Sequence, residues 1–205
     1  LANGMSSGAI EQTYNMSRRI RAEEELLANA DLVITSTRNE IEQQYRLYDY
    51  YEPERMTVIA PGTDLQQFRP PEDNEDPTFL AAIAPFLRDL NKPLVLALSR
   101  PDERKNIAIL LDAFACSEAL RERANLLIIA GNREDISALD DGAEAVLTDL
   151  LLRLDLHNLY GLVALPKQHR AGDVPEIYRT AAASGGVFVN PALTEPFGLT
   201  LLEAA

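Results

Sequence analysis

Leu94-Val95-Leu96-Ala97-Leu98 runs straight into Ser99-Arg100-Pro101-Asp102-Glu103-Arg104-Lys105-Asn106, and a second apolar run, Leu126-Leu127-Ile128-Ile129-Ala130, closes on Gly131. Both runs are too short for helices and carry no polar alternation, the pattern of strands covered on two faces. Asn106 to Arg123, between them, reads as a helix. Further on, the same reading predicts a helix over 143–154, a strand over 160–165, a helix over 174–183, a strand over 186–189 and a helix from Glu195 onward. Short apolar runs alternating with amphipathic helices require right-handed crossovers and a parallel sheet. The expected fold class is therefore α/β, a doubly wound, Rossmann-like sheet.

Toward the N-terminus the signals are weaker. Residues 10–30 read as one helix with Ile20, Leu26 and Leu27 on its apolar stripe and Glu23-Glu24-Glu25 in solvent. Asp31 to Thr35 reads as a strand, 39–51 as an aromatic-rich helix stopped by Pro53, and Met56 to Ile59 as another strand. Pro61-Gly62-Thr63-Asp64 reads as a turn in which glycine supplies a positive φ, and 70–77 as a surface linker. The expected division is 1–70 as the end of one domain and the crossover from it, 71–90 as linker, and 91–205 as an incomplete nucleotide-binding domain. Ser, Gly and Asn crowd the stretch from Leu1 to Gly8, and Phe197 to Ala205 reads as an apolar helix without a cap, so an excised fragment is expected.

The chain has 205 residues, 46% hydrophobic and 25% charged, an ordinary globular composition that supports one large or two modest cores. No apolar run reaches the length of a bilayer span and no leader pattern opens the chain, so a soluble, cytoplasmic protein is expected. Its single cysteine, Cys116, excludes an internal disulfide. Beside Ala113, Phe114 and Ala115 that residue reads as a small buried hydrophobe, a reactive thiol being the alternative. Nineteen basic against 32 acidic residues give a net charge of −13, which repels nucleic acid and anionic lipid, since both are held by Lys and Arg displacing counterions. The few cations gather as Arg18-Arg19-Ile20-Arg21, as Arg100 with Arg104-Lys105, and as Lys167 with Arg170. Such clusters suit a small anion such as phosphate; ordinary surface charge is the alternative.

Doubly wound sheets bind ligands at the carboxyl ends of their strands. There, Arg100 stands at a strand tip and Lys105 at the mouth of the next helix, an arrangement suited to a diphosphate or, alternatively, an ordinary charged loop. After the last strand comes Asn190-Pro191-Ala192-Leu193-Thr194-Glu195-Pro196-Phe197-Gly198-Leu199-Thr200-Leu201-Leu202-Glu203. Pro196 suits a first helical turn, Gly198 permits close approach of a ligand, and the amides of Gly198, Leu199 and Thr200 would face an anion. Carboxylates beside a phosphate weaken its binding, so Glu195 and Glu203 are read as acceptors for sugar hydroxyls. No Asp-x-Asp is present to bridge a divalent ion to a diphosphate, and His157 and His169 are too far apart in sequence to pair, so no metal is expected. His157 is expected at the surface; for His169, after Lys167, a loop near the site is the less favoured reading; Asp140-Asp141 are expected in a solvated loop; Leu110-Leu111 and Leu126-Leu127 are expected in the core.

Glu-x7-Glu opening as Glu195-Pro196-Phe197-Gly198-Leu199-Thr200, with Ser99-Arg100 and Lys105-Asn106 upstream, resembles the donor site of retaining glycosyltransferases with two Rossmann-like domains, the GT-B fold. Within them, Arg18-Arg19-Ile20, Val33-Ile34-Thr35-Ser36-Thr37-Arg38, Gln44-Tyr45-Arg46-Leu47-Tyr48-Asp49, Ser99-Arg100-Pro101-Asp102, Gly131-Asn132-Arg133, Pro166-Lys167 with His169, and Asp173-Val174-Pro175-Glu176-Ile177-Tyr178-Arg179 resemble the sucrose-phosphate synthase family, from about Gln12 onward. The resemblance implies transfer of glucose from UDP-glucose to fructose 6-phosphate with retention of configuration, in sucrose biosynthesis. It implies that Arg100 and Lys105 neutralise the diphosphate, Glu195 holds glucose hydroxyls, Glu203 holds the ribose, and Arg18 or Arg19 meets the acceptor phosphate. A His-Ser-Leu-Gly-like stretch expected of the family is matched poorly by Met5-Ser6-Ser7-Gly8, so these residues alone are expected to bind UDP weakly and to lack synthase activity. Sucrose synthase, another retaining enzyme such as a glycogen-synthase-like one, and a non-catalytic nucleotide-binding module are the competing readings; convergence of Arg100, Lys105, Glu195 and Glu203 on one cleft would disfavour the last.

Overall fold

The computed structural model describes residues 6–72 and 78–205, so Met5 and residues 73–77 of the expected linker lie outside the described residues. The chain divides into two compact units, Leu1–Gly62 and Thr63–Ala205, where the sequence had drawn its boundary at residue 70.

In the first unit, the long helix expected over 10–30 is two helices, α1 (Ser7–Tyr14) and α2 (Met16–Asn29). The break is Asn15, left-handed at φ 51, a conformation that asparagine tolerates better than most residues. Ser6 caps α1 by accepting the Ala9 amide. Of the expected stripe only Leu27 is buried; Ile20 and Leu26 are 44% and 69% exposed, because the unit offers that face nothing to pack on. Glu24 is not simply solvated: its carboxylate accepts the amides of Asp49 and Tyr50. Strands β1 (Val33–Thr35) and β2 (Met56–Val58) pair in parallel, Val33 opposite Met56. The helix expected over 39–51 is a wide π turn, Glu40–Gln44, followed by a 3₁₀ turn that ends at Leu47. Gly62 has no positive φ and no near neighbour, so the expected turn does not depend on it.

The second unit follows the predicted alternation: α3 (Leu80–Ile83), β3 (Leu94–Ser99), α4 (Ile107–Cys116), α5 (Glu118–Arg123), β4 (Asn125–Ala130), α6 (Asp141–Leu156), β5 (Val163–Ala164), α7 (Val174–Ala183), β6 (Val187–Phe188) and α8 (Leu199–Ala204). The four strands are parallel in the order β5-β4-β3-β6. The chain therefore winds outward from β3 through β4 to β5, then returns by α7 to lay β6 on the other side of β3. Period-two alternation splits β4 between two cores. Leu126, Ile128 and Ala130 pack with α4 and α6, while Leu127 and Ile129 pack with α3 and α7. Gly186 lies so close to the backbone of Leu94 that any Cβ would overlap it, which lets β6 enter the sheet.

Several local expectations change. The helix predicted over 106–123 breaks at Ser117, whose hydroxyl caps α5 by accepting the Leu120 amide. Asp140 likewise caps α6, accepting from the Ala143 amide, so it does more than sit in a solvated loop. Cys116 is exposed at the end of α4, since Phe114 and Ala115 take that turn's inward directions. His157 is half-buried against Asp112, at 3.1 Å, rather than at the surface. Leu111, Leu126 and Leu127 are core as expected, while Leu110 is only partly buried.

Candidate functional site

The winding of the sheet reverses between the carboxyl ends of β3 and β6, the general location for ligands in such sheets. The loop after β3 begins at Arg100, tightens where Asp102 accepts the Arg104 amide, and makes a 3₁₀ turn at Glu103–Lys105 before left-handed Asn106 redirects the chain into α4. After β6, the Val189 amide extends the ladder to the Leu96 carbonyl, and Asn190 turns the chain by accepting the Ala192 amide. Two hydrogen bonds stitch these loops together: the Leu193 amide donates to the Arg104 carbonyl at 2.9 Å, and Asn106 Nδ2 donates to the Pro191 carbonyl at 3.3 Å.

Across that seam Lys105 Nζ meets Glu195 Oε2 at 2.7 Å, with side chains 21% and 22% exposed. Asn190 Nδ2 donates to the same oxygen at 3.0 Å. The Lys105 hydrogen bond is the main reason the Glu195 carboxyl lies below the ordinary carboxylate range; Asn190 and the Gly198 amide lower it further against the opposing effect of burial. Pro196 is not in a helix: Gly198, at φ 88, precedes α8, which starts at Leu199. Glycine is needed there because the left-handed backbone strains any other side chain.

Glu203 is held elsewhere on α8. Tyr178 of α7 points its hydroxyl at the Thr200 carbonyl, 3.3 Å, and at Glu203 Oε2, 3.4 Å, and its ring packs edge-on against Phe188 and Phe68. Burial raises the Glu203 carboxyl above the ordinary range, and burial with the Glu203 charge raises the Tyr178 phenol. Environment thus separates the two glutamates in opposite directions.

Arg100 is exposed and lines an open cavity of about 620 Å³ beside the N-terminal turn of α6, with Asp102, Asp140 and Asp149. Among the described residues its guanidinium has no hydrogen-bond partner, although it helps Arg104 hold the Asp102 carboxyl down to about 2. The structure therefore brings Lys105, Glu195 and Gly198 together, places Arg100 at a neighbouring mouth, and anchors Glu203 to α7. On α2, Arg18 and Arg19 stand exposed side by side in the first unit.

The loops after β4 and β5 form a separate group. The His169 amide donates to Asn132 Oδ1 at 2.9 Å, Gln168 bonds Glu134, and Arg133 reaches the Leu165 carbonyl. These loops line an open cavity of about 720 Å³ at which His169 is partly buried, its imidazole pKa lowered by desolvation. The sequence singled out neither Asn190, Asn106 nor Tyr178. An asparagine before proline at a strand end, and one directly after a cationic loop, were the available signals for the first two. Among the described residues no three His, Cys, Asp or Glu side chains are grouped to hold a metal ion, and no helix is long and apolar enough to cross a membrane.

This parallel sheet wound both ways from β3 has the α/β fold seen in GT-B glycosyltransferases, shared with a glycosyltransferase of lipopolysaccharide biosynthesis, WaaG (TM-score 0.61, 19% identity, 99% of this chain and 52% of that one). The chain belongs to the glycosyl transferases group 1 family, whose profile matches residues 81–205. Among its relatives, a protein of Oryza sativa subsp. indica described as probable sucrose-phosphate synthase 1 is 44% identical over 237 aligned positions, covering 98% of this chain and 22% of that protein. A sucrose-phosphate synthase structure from Thermosynechococcus elongatus superposes with a TM-score of 0.67 at 28% identity, covering 95% of this chain and 43% of that one. The chain thus spans about a fifth of the length of the plant relative.

Proposed function

We propose that this chain forms the donor-binding part of a retaining glucosyltransferase of the sucrose-phosphate synthase type, which moves glucose from UDP-glucose to fructose 6-phosphate and releases UDP and sucrose 6-phosphate. The observation that carries the reading is the Lys105–Glu195 pair at 2.7 Å, set where the winding of the sheet reverses. A largely buried ammonium there has, among the described residues, a single carboxylate partner, which a diphosphate would compete with or share. The high identity to sucrose-phosphate synthases supports the choice of sugars.

In this reading Lys105 and Arg100 stabilise the charge that builds on the diphosphate as the glycosidic bond breaks. Arg100, exposed and without a hydrogen-bond partner among the described residues, has the freedom to swing toward the phosphates. Glu195, kept ionised by Lys105 and Asn190, accepts hydrogen bonds from glucose hydroxyls. Glu203 accepts from the ribose, and the amides of Gly198, Leu199 and Thr200 face the diphosphate. Arg18 and Arg19 would meet the acceptor phosphate. The positive charge that a divalent ion brings to other nucleotide-sugar sites comes here from side chains, and unchanged turnover in chelator tests that part of the proposal.

Calorimetric titration of the full-length enzyme with UDP, ADP and GDP tests the nucleotide. UDP is expected to bind tightest, and comparable heats for all three overturn the assignment. Turnover on fructose 6-phosphate against fructose tests the acceptor; a preference for unphosphorylated fructose would move the enzyme to the sucrose synthase type.

A further inference from the structure

At the outer edge of the sheet, beside β5 and therefore at the opposite edge from β6, lies a further cavity of about 360 Å³. Its walls are largely apolar, including Phe86, Leu151, Leu154 and Val163, yet two guanidinium side chains line it, Arg133 and Arg88. Arg133 is 7% exposed. Nη2 donates to the Leu165 carbonyl at 2.7 Å, Nε is buried without a partner, and among the described residues no carboxylate pairs with the side chain. An arginine cannot shed its charge at any physiological pH, and an unpaired buried ion is among the costliest features a fold can keep. Burial accordingly lowers its pKa, with no neighbouring anion to oppose that effect.

Arg88 completes the arrangement from the other side. Its amide donates to the Gly161 carbonyl at 2.9 Å, and its side chain lies across the face of Gly161, where a Cβ would overlap it. Gly161 also holds φ 83, so both the space and the backbone at that point require glycine. An exposed arginine is thereby laid along the cavity rim while a buried one waits inside it.

We propose that this cavity is a binding site for a small organic oxyanion, a carboxylate or phosphate attached to an apolar group, held between Arg133 and Arg88 and separate from the Lys105–Glu195 cleft. The guanidinium fork matches either oxyanion through paired hydrogen bonds, and the apolar walls take the organic part. The anion supplies the countercharge that the protein withholds from Arg133.

The test is calorimetry and thermal unfolding of the full chain with inorganic phosphate, benzoate and phenyl phosphate as probes. At least one organic probe is expected to bind saturably, at least tenfold tighter than inorganic phosphate, and the tighter of the two identifies carboxylate or phosphate as the ligand chemistry. Arg88→Ala, a change at an exposed side chain, is expected to weaken that binding about tenfold, while Lys105→Ala leaves it unchanged. Arg133→Met should abolish it yet unfold at an equal or higher temperature without anion, because an uncompensated charge has been removed. If Arg133→Met does not fold, the Arg88→Ala and Lys105→Ala pair decides. No saturable binding by either organic probe, inorganic phosphate binding as tightly as both, or binding lost in Lys105→Ala and kept in Arg88→Ala, would each overturn the site.

Discussion

Two parallel strand pairs in this molecule have the same hydrogen-bonding pattern and opposite surroundings. β3 and β4 are covered on both faces, with Leu96, Leu126 and Leu127 fully buried. β1 and β2 pair equally regularly, yet Ile34, Val58 and the following Ile59 are 58%, 39% and 58% exposed. Parallel pairing alone is weakly stabilising; the burial of apolar faces by flanking helices is what gives such a sheet its stability.

The sharpest way to break that comparison is to shorten one side chain in each pair. Leu127→Ala should cost about 2–5 kcal/mol in chemical denaturation, the range for a buried leucine that leaves a cavity. Ile34→Ala should stay within about 0.5 kcal/mol, as at exposed positions generally. Equal losses would mean that the first unit is covered in solution. Next in size is the cleft. Lys105→Ala in the full-length enzyme should lower kcat/KM by roughly 10²-fold, about 3 kcal/mol of transition-state stabilisation. A Kd for UDP that rises with kcat unchanged would instead make Lys105 a ground-state binder. Smaller again is Gly186→Ala, expected to destabilise by about 1–3 kcal/mol, as overpacking does, because the new Cβ meets the Leu94 backbone and not a side chain that can move.

The subtlest effect is the order of titration along α8 and the loop before it. Glu195 has a folded pKa below its unfolded value, so it adds stability above about 4.5 that disappears as pH falls through the lowered value. Glu203 has the reverse sign: burial raises its folded pKa, so the fold binds its proton more tightly and loses stability as pH rises through the range above 4.5. Carboxyl NMR shifts should show Glu195 titrating at lower pH than Glu203. Glu203→Gln should flatten the decline on the alkaline side of that window, while Lys105→Met should bring Glu195 back toward 4.5. Coincident titrations would refute the assigned partners.

The second unit was legible because each of its signals was local. The apolar runs at 94–98 and 126–130, and the helix over Val174–Ala183, reflect periodicity that the sheet enforces along its whole length. The first unit was harder to read because its pattern is not matched by burial, and a stripe such as Ile20 and Leu26 then carries no information about where the helix breaks. The break at Ser117 follows from capping chemistry, its hydroxyl accepting the Leu120 amide, and the break at Asn15 from a left-handed backbone that asparagine tolerates; in each, one polar residue outweighs the helical propensity of its neighbours. In the cleft, the residue types of Lys105, Glu195, Glu203 and Gly198 were readable, but the pairing of Lys105 with the first glutamate and of Tyr178 with the second was not.

The sequence by itself determined the α/β class, the succession of strands and helices after Leu94, and the family, because all of these are written in residue types at short spacing. Only the tertiary structure decided which strand became the pivot of the sheet, and so which loops faced one another. Glu195 and Lys105, 90 residues apart in the chain, meet because β6 returns to the side of β3 opposite β4. The same topology leaves the Arg133 charge against the far edge strand with no carboxylate among the described residues to meet it.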